Sequence, residues 1–167
     1  AAKKGYNFVG NLPAAAARAV TDAYRASWAE EGRDAAALPR MGLGRFIVVA
    51  DSDREAKALA ARAFPRWQAS FWKLWDARGQ RPPVPMPDTF EGVEQFGIGI
   101  AGSPETVRAA LAEQVAQGGV NYLLGRFAFG DLSFAESARS VDLFAQEVMP
   151  ALKAGASNRE DTPASIA

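Results

Sequence analysis

Cysteine and histidine are both missing from the 167 residues, and these two absences exclude more chemistry than any single motif supplies. Without cysteine there is no disulfide and no thiolate nucleophile; a reducing cytoplasm suits such a chain, and that is the location we expect. Without histidine there is no Ser–His or Cys–His nucleophilic system and no His-containing zinc site. An excess of positive charge is missing as well. Lys and Arg total 19, as do Asp and Glu, so nothing marks a basic face for nucleic acid. No apolar run nears the roughly 20 residues of a membrane span, and the first residues carry no signal-peptide pattern. We therefore expect neither nucleic acid nor membrane as a partner.

What is present suits one α/β domain. Hydrophobic residues make up 49% of the chain, enough for a sizeable core. The opening AAKKG reads as the end of a helix, with Lys3 and Lys4 in its last turn and Gly5 just past it. The expectation is a chain that starts inside a larger protein. Residues 6–10 (YNFVG) suit a short buried strand, and an alanine-rich helix follows from Ala14 to about Glu31. Residues 43–50 (LGRFIVVA) form the clearest strand, with a β-branched run (Ile47, Val48, Val49) of the kind parallel sheets bury on both faces. Asp51, Ser52 and Asp53 then offer cap oxygens to a helix that continues, kinked, through Pro65.

Further on, residues 81–88 (RPPVPMPD) exclude regular structure, because four prolines remove amide donors. A short helix is expected over residues 89–96 and a loop or brief strand over 97–101. Ser103-Pro104-Glu105 is a strong helix start, residues 120–127 read as a strand, and Ser133 with Glu136 forms a capping box. The last helix would turn Phe134, Val141, Phe144, Val148 and Leu152 to one side, and residues 154–167 would be a disordered polar tail. Strands alternating with helices imply right-handed crossovers and parallel pairing.

Three passages resemble one known family. AAKKGYNFVGNLP, then RFIVVADSDREAKALA, then residues 102–152 (GSPETVRAALAEQVAQGGVNYLLGRFAFGDLSFAESARSVDLFAQEVMPAL) are similar, in wording and order, to the bacterial luciferase-like, flavin-dependent monooxygenases. The resemblance implies part of a (β/α)8 TIM barrel, with residues 1–153 supplying strands six to eight. Such barrels need about 250 residues, so the expectation is a C-terminal portion, inactive by itself. The implied activity is oxidation of a small organic substrate by reduced FMN and dioxygen, a separate flavin reductase supplying the reduced FMN. Alternatives carried with it are F420-dependent hydride transfer, a non-catalytic flavin-binding protein, and an assembly module completed by a complementary half-barrel chain. Homo-oligomerisation is compatible with each.

In these barrels ligands sit at the C-terminal ends of strands, which directs attention to a few residues. Asn11 would hydrogen-bond a flavin carbonyl or the substrate, or else close an Asx turn before Leu12-Pro13. Arg126 stands in an otherwise apolar strand and must find a partner: the reduced flavin ring, or a carboxylate such as Asp131. Phe127 and Phe129, two apart on one side of the strand, would wall the flavin or an aliphatic substrate, or pack against the last helix. The stripe of Trp67, Phe71, Trp72 and Trp75 is the candidate substrate-specific element, its alternative being a packing face. Asp51, Asp53 and Glu105 read as helix caps, and the Gly-x-Gly pairs at 42–44 and 97–99 lack a dinucleotide-binding context. No metal site is expected.

Overall fold

The computed structural model describes residues 1–80 and 86–160. A 3-10 turn, Ala2–Lys4, stops at Gly5 with φ 67°, and strand β1 (Phe8–Gly10) leads into helix α1 (Ala14–Glu30). Buried Ala14, Ala17, Thr21, Tyr24 and Trp28 recur every three or four residues, giving α1 one inward stripe. Strand β2 (Met41–Val49) is buried along its whole length. Helix α2 (Asp53–Asp76) starts where the Ser52 hydroxyl accepts the Glu55 N–H, and it runs on through Pro65. The proline forfeits one helical hydrogen bond; burial of Ala60, Ala63 and Phe64 beside it holds the helix to the sheet.

Helix α3 (Phe90–Gln95) is capped by Thr89, and strand β3 (Gly99–Gly102) follows it. Helix α4 (Pro104–Gly118) begins at the Ser103 cap and ends on Gly119, which holds φ 60°. Strand β4 (Tyr122–Arg126) leads to helix α5 (Phe134–Leu143), whose capping box is complete. One π turn, Phe144–Val148, joins α5 to helix α6 (Met149–Glu160). Among the described residues no helix is long and apolar enough to cross a membrane.

All strand pairings are parallel, and β2 is the hub. β1 pairs with its first residues, β3 with Phe46 to Val49, and β4 with Gly42 to Phe46. Gly42 pairs with both Val9 and Tyr122, and Phe46 with both Gly99 and Arg126. A residue with two such partners has one on each edge, so β4 lines one edge of β2 while β1 and β3 succeed one another along the other. The sheet is open and only three strands wide at any level.

Alternation along β2 divides the core. Met41, Leu43, Ile47 and Val49 face the layer of α1, α4, α5 and α6, meeting Trp28, Ala17, Leu111 and Val148 among others. Phe46, Val48 and Ala50 face α2 and α3, packing with Phe64, Phe90 and Phe129. This second layer covers only the C-terminal half of its face. The lower half, where Val9, Gly42, Tyr122, Gly44 and Leu124 share the surface, is left open, with Val9 43% and Leu124 41% exposed.

The stretch at residues 97–101, open between a loop and a brief strand, holds β3, a fourth strand paired with β2. Helix α6 runs through Glu160, and residues 161–167 lie outside the described ones. One expectation needs correction. In the last helix Phe134 is 89% exposed and Val141 is exposed, while Ser140 and Leu143 turn inward with Val148. Phe134 is the first helical residue, and the π turn shifts the periodicity that an α-helix would keep. Of the proline-rich segment, residues 81–85 lie outside the described ones, and no regular element contains Met86, Pro87 or Asp88.

Candidate functional site

The site is built across β2. Asn11 leaves the end of β1 on one edge, Arg126 ends β4 on the other, and both reach over Gly44 between them. The Arg126 Nη2 donates to Asn11 Oδ1 at 2.8 Å. Gly44 makes this possible: a Cβ there would overlap Asn11 Oδ1 and lie 3.5 Å from Arg126 Nη2. The guanidinium lies over the Phe46 ring, 4.1 Å from its centroid, in reach of a cation–π attraction. Burial lowers the Arg126 pKa from its ordinary value, and the Nε atom is buried without a partner.

Phe46 connects this cation to an aromatic cluster. Trp67 and Phe129 meet it edge-on, with centroids at 4.6 and 5.1 Å. Trp67 in turn stacks on Phe71 at 5.1 Å with planes 12° apart. Phe71 is the outer, exposed end of this stack, and Trp75 lies one turn further along α2, half-buried. Thus Asn11, Arg126, Trp67 and Phe129 gather around Phe46, Phe71 borders them, and Trp75 stands off.

Phe127 goes elsewhere. It folds back over Gly125 and packs edge-on against Phe144 at 5.0 Å, in the cluster of Ile47 and Val49. β4 ends at Arg126, so strand alternation no longer holds Phe127 and Phe129 on one side. The loop beyond turns at Gly130, φ 62°, where a Cβ would run into the Ala63 backbone, and this delivers Phe129 to α2.

The carboxylates are occupied elsewhere. Asp131 and Glu136 hold Arg62, at 3.3 and 2.8 Å, rather than Arg126. The Arg62 hydrogen bond and the Ser133 N–H hold the Glu136 carboxyl down at about 2. Asp53 accepts the Ser103 N–H at 2.7 Å and the Thr106 hydroxyl at 3.1 Å, tying the starts of α2 and α4 together; these bonds lower its pKa. Asp51 pairs with Arg139 at 2.6 Å. Among the described residues no cluster of His, Cys, Asp and Glu could hold a metal ion.

Sequence reasoning missed Arg45, which is wholly buried in β2. The rule that singled out Arg126, an arginine inside an apolar strand, applies equally to it. Arg45 lies on the opposite face, where its Nε donates to Gln114 Oε1 at 2.6 Å and its Nη1 to the Gly44 carbonyl at 2.8 Å. Burial, then the charge of Arg126, lowers its pKa to about 10. Two clefts lie away from the Asn11–Arg126 pair: 240 Å³ at the end of β2 beside Asp51 and Arg139, and 660 Å³ between α4, β4 and α6. The pair itself sits on the open sheet face, at its junction with the aromatic layer.

Comparison with known proteins bears on this arrangement. The sequence profile of the luciferase-like monooxygenases matches residues 1–122, a span that includes Asn11 and ends at the first residue of β4. The uncharacterized protein y4wF of Sinorhizobium fredii is 36% identical over 152 residues, covering 89% of this chain and 44% of that protein. Among solved structures, monooxygenase RslO1 from Streptomyces bottropensis superposes with TM-score 0.71 at 20% identity, over 89% of this chain and 43% of that one. The oxygenating constituent of 3,6-diketocamphane monooxygenase from Pseudomonas putida, in complex with FMN, gives 0.60 at 21% identity, over 85% and 41%. The chain spans less than half the length of each of these relatives.

Proposed function

The chain belongs to the luciferase-like monooxygenase family, and from that premise we propose that its open sheet face holds FMN beside a small, largely apolar organic substrate. The observation that carries this reading is Arg126: a half-buried cation with an orphaned Nε, aimed over Phe46 and tied to Asn11. A flat, electron-accepting ring with hydrogen-bond acceptors on one edge suits that setting. Bound FMN would supply the oxygen chemistry, as cofactors of this kind do; the protein's part is grip, orientation and exclusion of water. Arg126 would offer positive charge to the reduced ring. Asn11, whose Oδ1 is held by Arg126, is left with its amide nitrogen to donate. Trp67, Phe71 and Phe129 would give the substrate an apolar wall, with Trp75 further out. Phe127 would act only through packing behind the sheet. A separate flavin reductase would deliver the reduced cofactor, and F420 is the alternative occupant.

Titration with oxidised and reduced FMN, followed by flavin fluorescence or calorimetry, tests the reading. Saturable binding is expected, weakened for the reduced form by Arg126→Gln by about tenfold, the loss of one charge-assisted contact. Absence of binding by both forms would sink it. A second reading, an assembly module completed by a complementary half-barrel chain, is favoured by the uncovered lower face around Val9 and Leu124. Under it the same flavin site would form only in the complex.

A further inference from the structure

One arginine lies in the central strand and another ends its neighbour β4, and among the described residues neither forms an ion pair with a carboxylate. Arg45 is wholly buried, and its Nη2 finds no hydrogen-bond partner among the described residues. Arg126 is half-buried, and its Nε finds none among them either. Side-chain alternation puts Arg45 towards α4 and its neighbour Phe46 on the other face, where register sets Phe46 beside Arg126. The two guanidiniums therefore lie on opposite faces of the same strip of sheet, close enough for the charge on one to disfavour the charge on the other. With its pKa still at about 10, Arg45 remains protonated at neutral pH.

The partner chosen for Arg45 is the informative detail. Its Nε meets the side chain of Gln114 at 2.6 Å, and glutamate at that position would fill nearly the same volume with the same reach. It would also turn an uncompensated buried cation into a buried ion pair. Removing a charge's partner inside a protein is strongly destabilising, so a neutral amide here leaves stability unrealised. Positive charge inside the sheet is retained where exchange of an amide nitrogen for an oxygen would cancel it.

We propose that Arg45, left uncompensated by Gln114, is a positioning residue whose field makes the Arg126–Asn11 pair on the opposite face a site for a small anion. The chemistry it takes is a delocalised negative charge, carried by a free oxyanion such as phosphate or by the reduced ring of a flavin. Only the second source rests on the flavin reading above. Gly44 leaves the room in which the pair meets, and Arg126 supplies the contact. Arg45 never touches the ligand; it raises the potential there through the low-dielectric sheet.

Gln114→Glu in the full chain tests this, with Arg126→Gln as its counterpart. Thermal unfolding is followed in graded inorganic phosphate at fixed ionic strength, and oxidised and reduced FMN are titrated in parallel. Q114E should raise Tm at low phosphate, because it pairs the buried charge. It should also shrink the gain in Tm that phosphate gives the parent chain, and weaken reduced FMN severalfold, the effect of cancelling a unit charge behind the site. Oxidised FMN should change far less, a split that a merely structural role would not produce. R126Q should abolish the phosphate response. A Q114E chain that responds to phosphate like the parent overturns the proposal, and so does one with a lowered Tm or an R126Q chain that keeps the response. If no variant binds FMN while the phosphate responses run as expected, the flavin reading fails and the anion site stands.

Discussion

Glycine at position 44 is required for a different reason from glycine at 130, and the difference predicts different damage. At Gly44 a Cβ would meet the tip of the Asn11 side chain, which is exposed and free to swing away. Gly44→Ala should therefore change stability by less than about 1 kcal/mol yet part Asn11 from Arg126 and weaken FMN binding severalfold. At Gly130 the Cβ would enter the Ala63 backbone, and the residue holds φ 62°. Gly130→Ala should cost about 2–4 kcal/mol, from left-handed strain plus overpacking. Urea unfolding with parallel FMN titration separates the two; equal stability losses would contradict the geometry. At this scale the sequence marks Arg126 as a residue that must find a partner, and Asn11 as a ligand contact or an Asx turn. It did not reveal that they partner each other, since 115 positions of chain separate them. Arg45 carries the same signal as Arg126, an arginine inside an apolar strand, and the sequence reading passes over it.

Legibility at the level of elements followed locality. The starts of α4 and α5 could be read directly, because Ser103 and Ser133 bond to N–H groups within the next three residues. β3 reads from the sequence only as a loop or a brief strand, and the parting of Phe127 from Phe129 is not legible there, because both depend on what β2 and α2 present from far along the chain. The capping box of α5 also carries a pH prediction. Glu136 accepts the Ser133 N–H at 2.7 Å and Arg62 at 2.8 Å, and its pKa falls to about 2 from an ordinary 4.5. A carboxyl depressed on folding stabilises the native state above its unfolded pKa, and that contribution disappears as pH falls through the folded value. Loss of α5 anchorage should thus run from about pH 4.5 down to about 2. Glu136→Gln should flatten that part of the stability–pH curve, measured by urea midpoints at successive pH values; an unchanged curve would show that the pair contributes nothing. Glu136 is partly exposed and Arg62 more so, so high salt should reduce the effect.

Taken whole, the molecule is an α/β sheet finished on one face and unfinished on the other. The layer of α1, α4, α5 and α6 backs β2, whereas α2 and α3 leave Val9 and Leu124 exposed on the other face, with Gly42 and Gly44 buried only beneath neighbouring side chains. Apolar surface of this kind, bordered by the open edge of β4, invites association that has no natural stopping point. The isolated chain should therefore self-associate weakly, its weight-average mass by light scattering rising with concentration instead of settling at a dimer. Leu124→Lys places a charge in the middle of the uncovered face at a position already 41% exposed. It should suppress the rise in mass while leaving Tm nearly unchanged, because that side chain is already well exposed in the folded chain. A parent chain that stays monomeric at every concentration would show that the face tolerates water, and the half-barrel reading would then lose the observation that favours it.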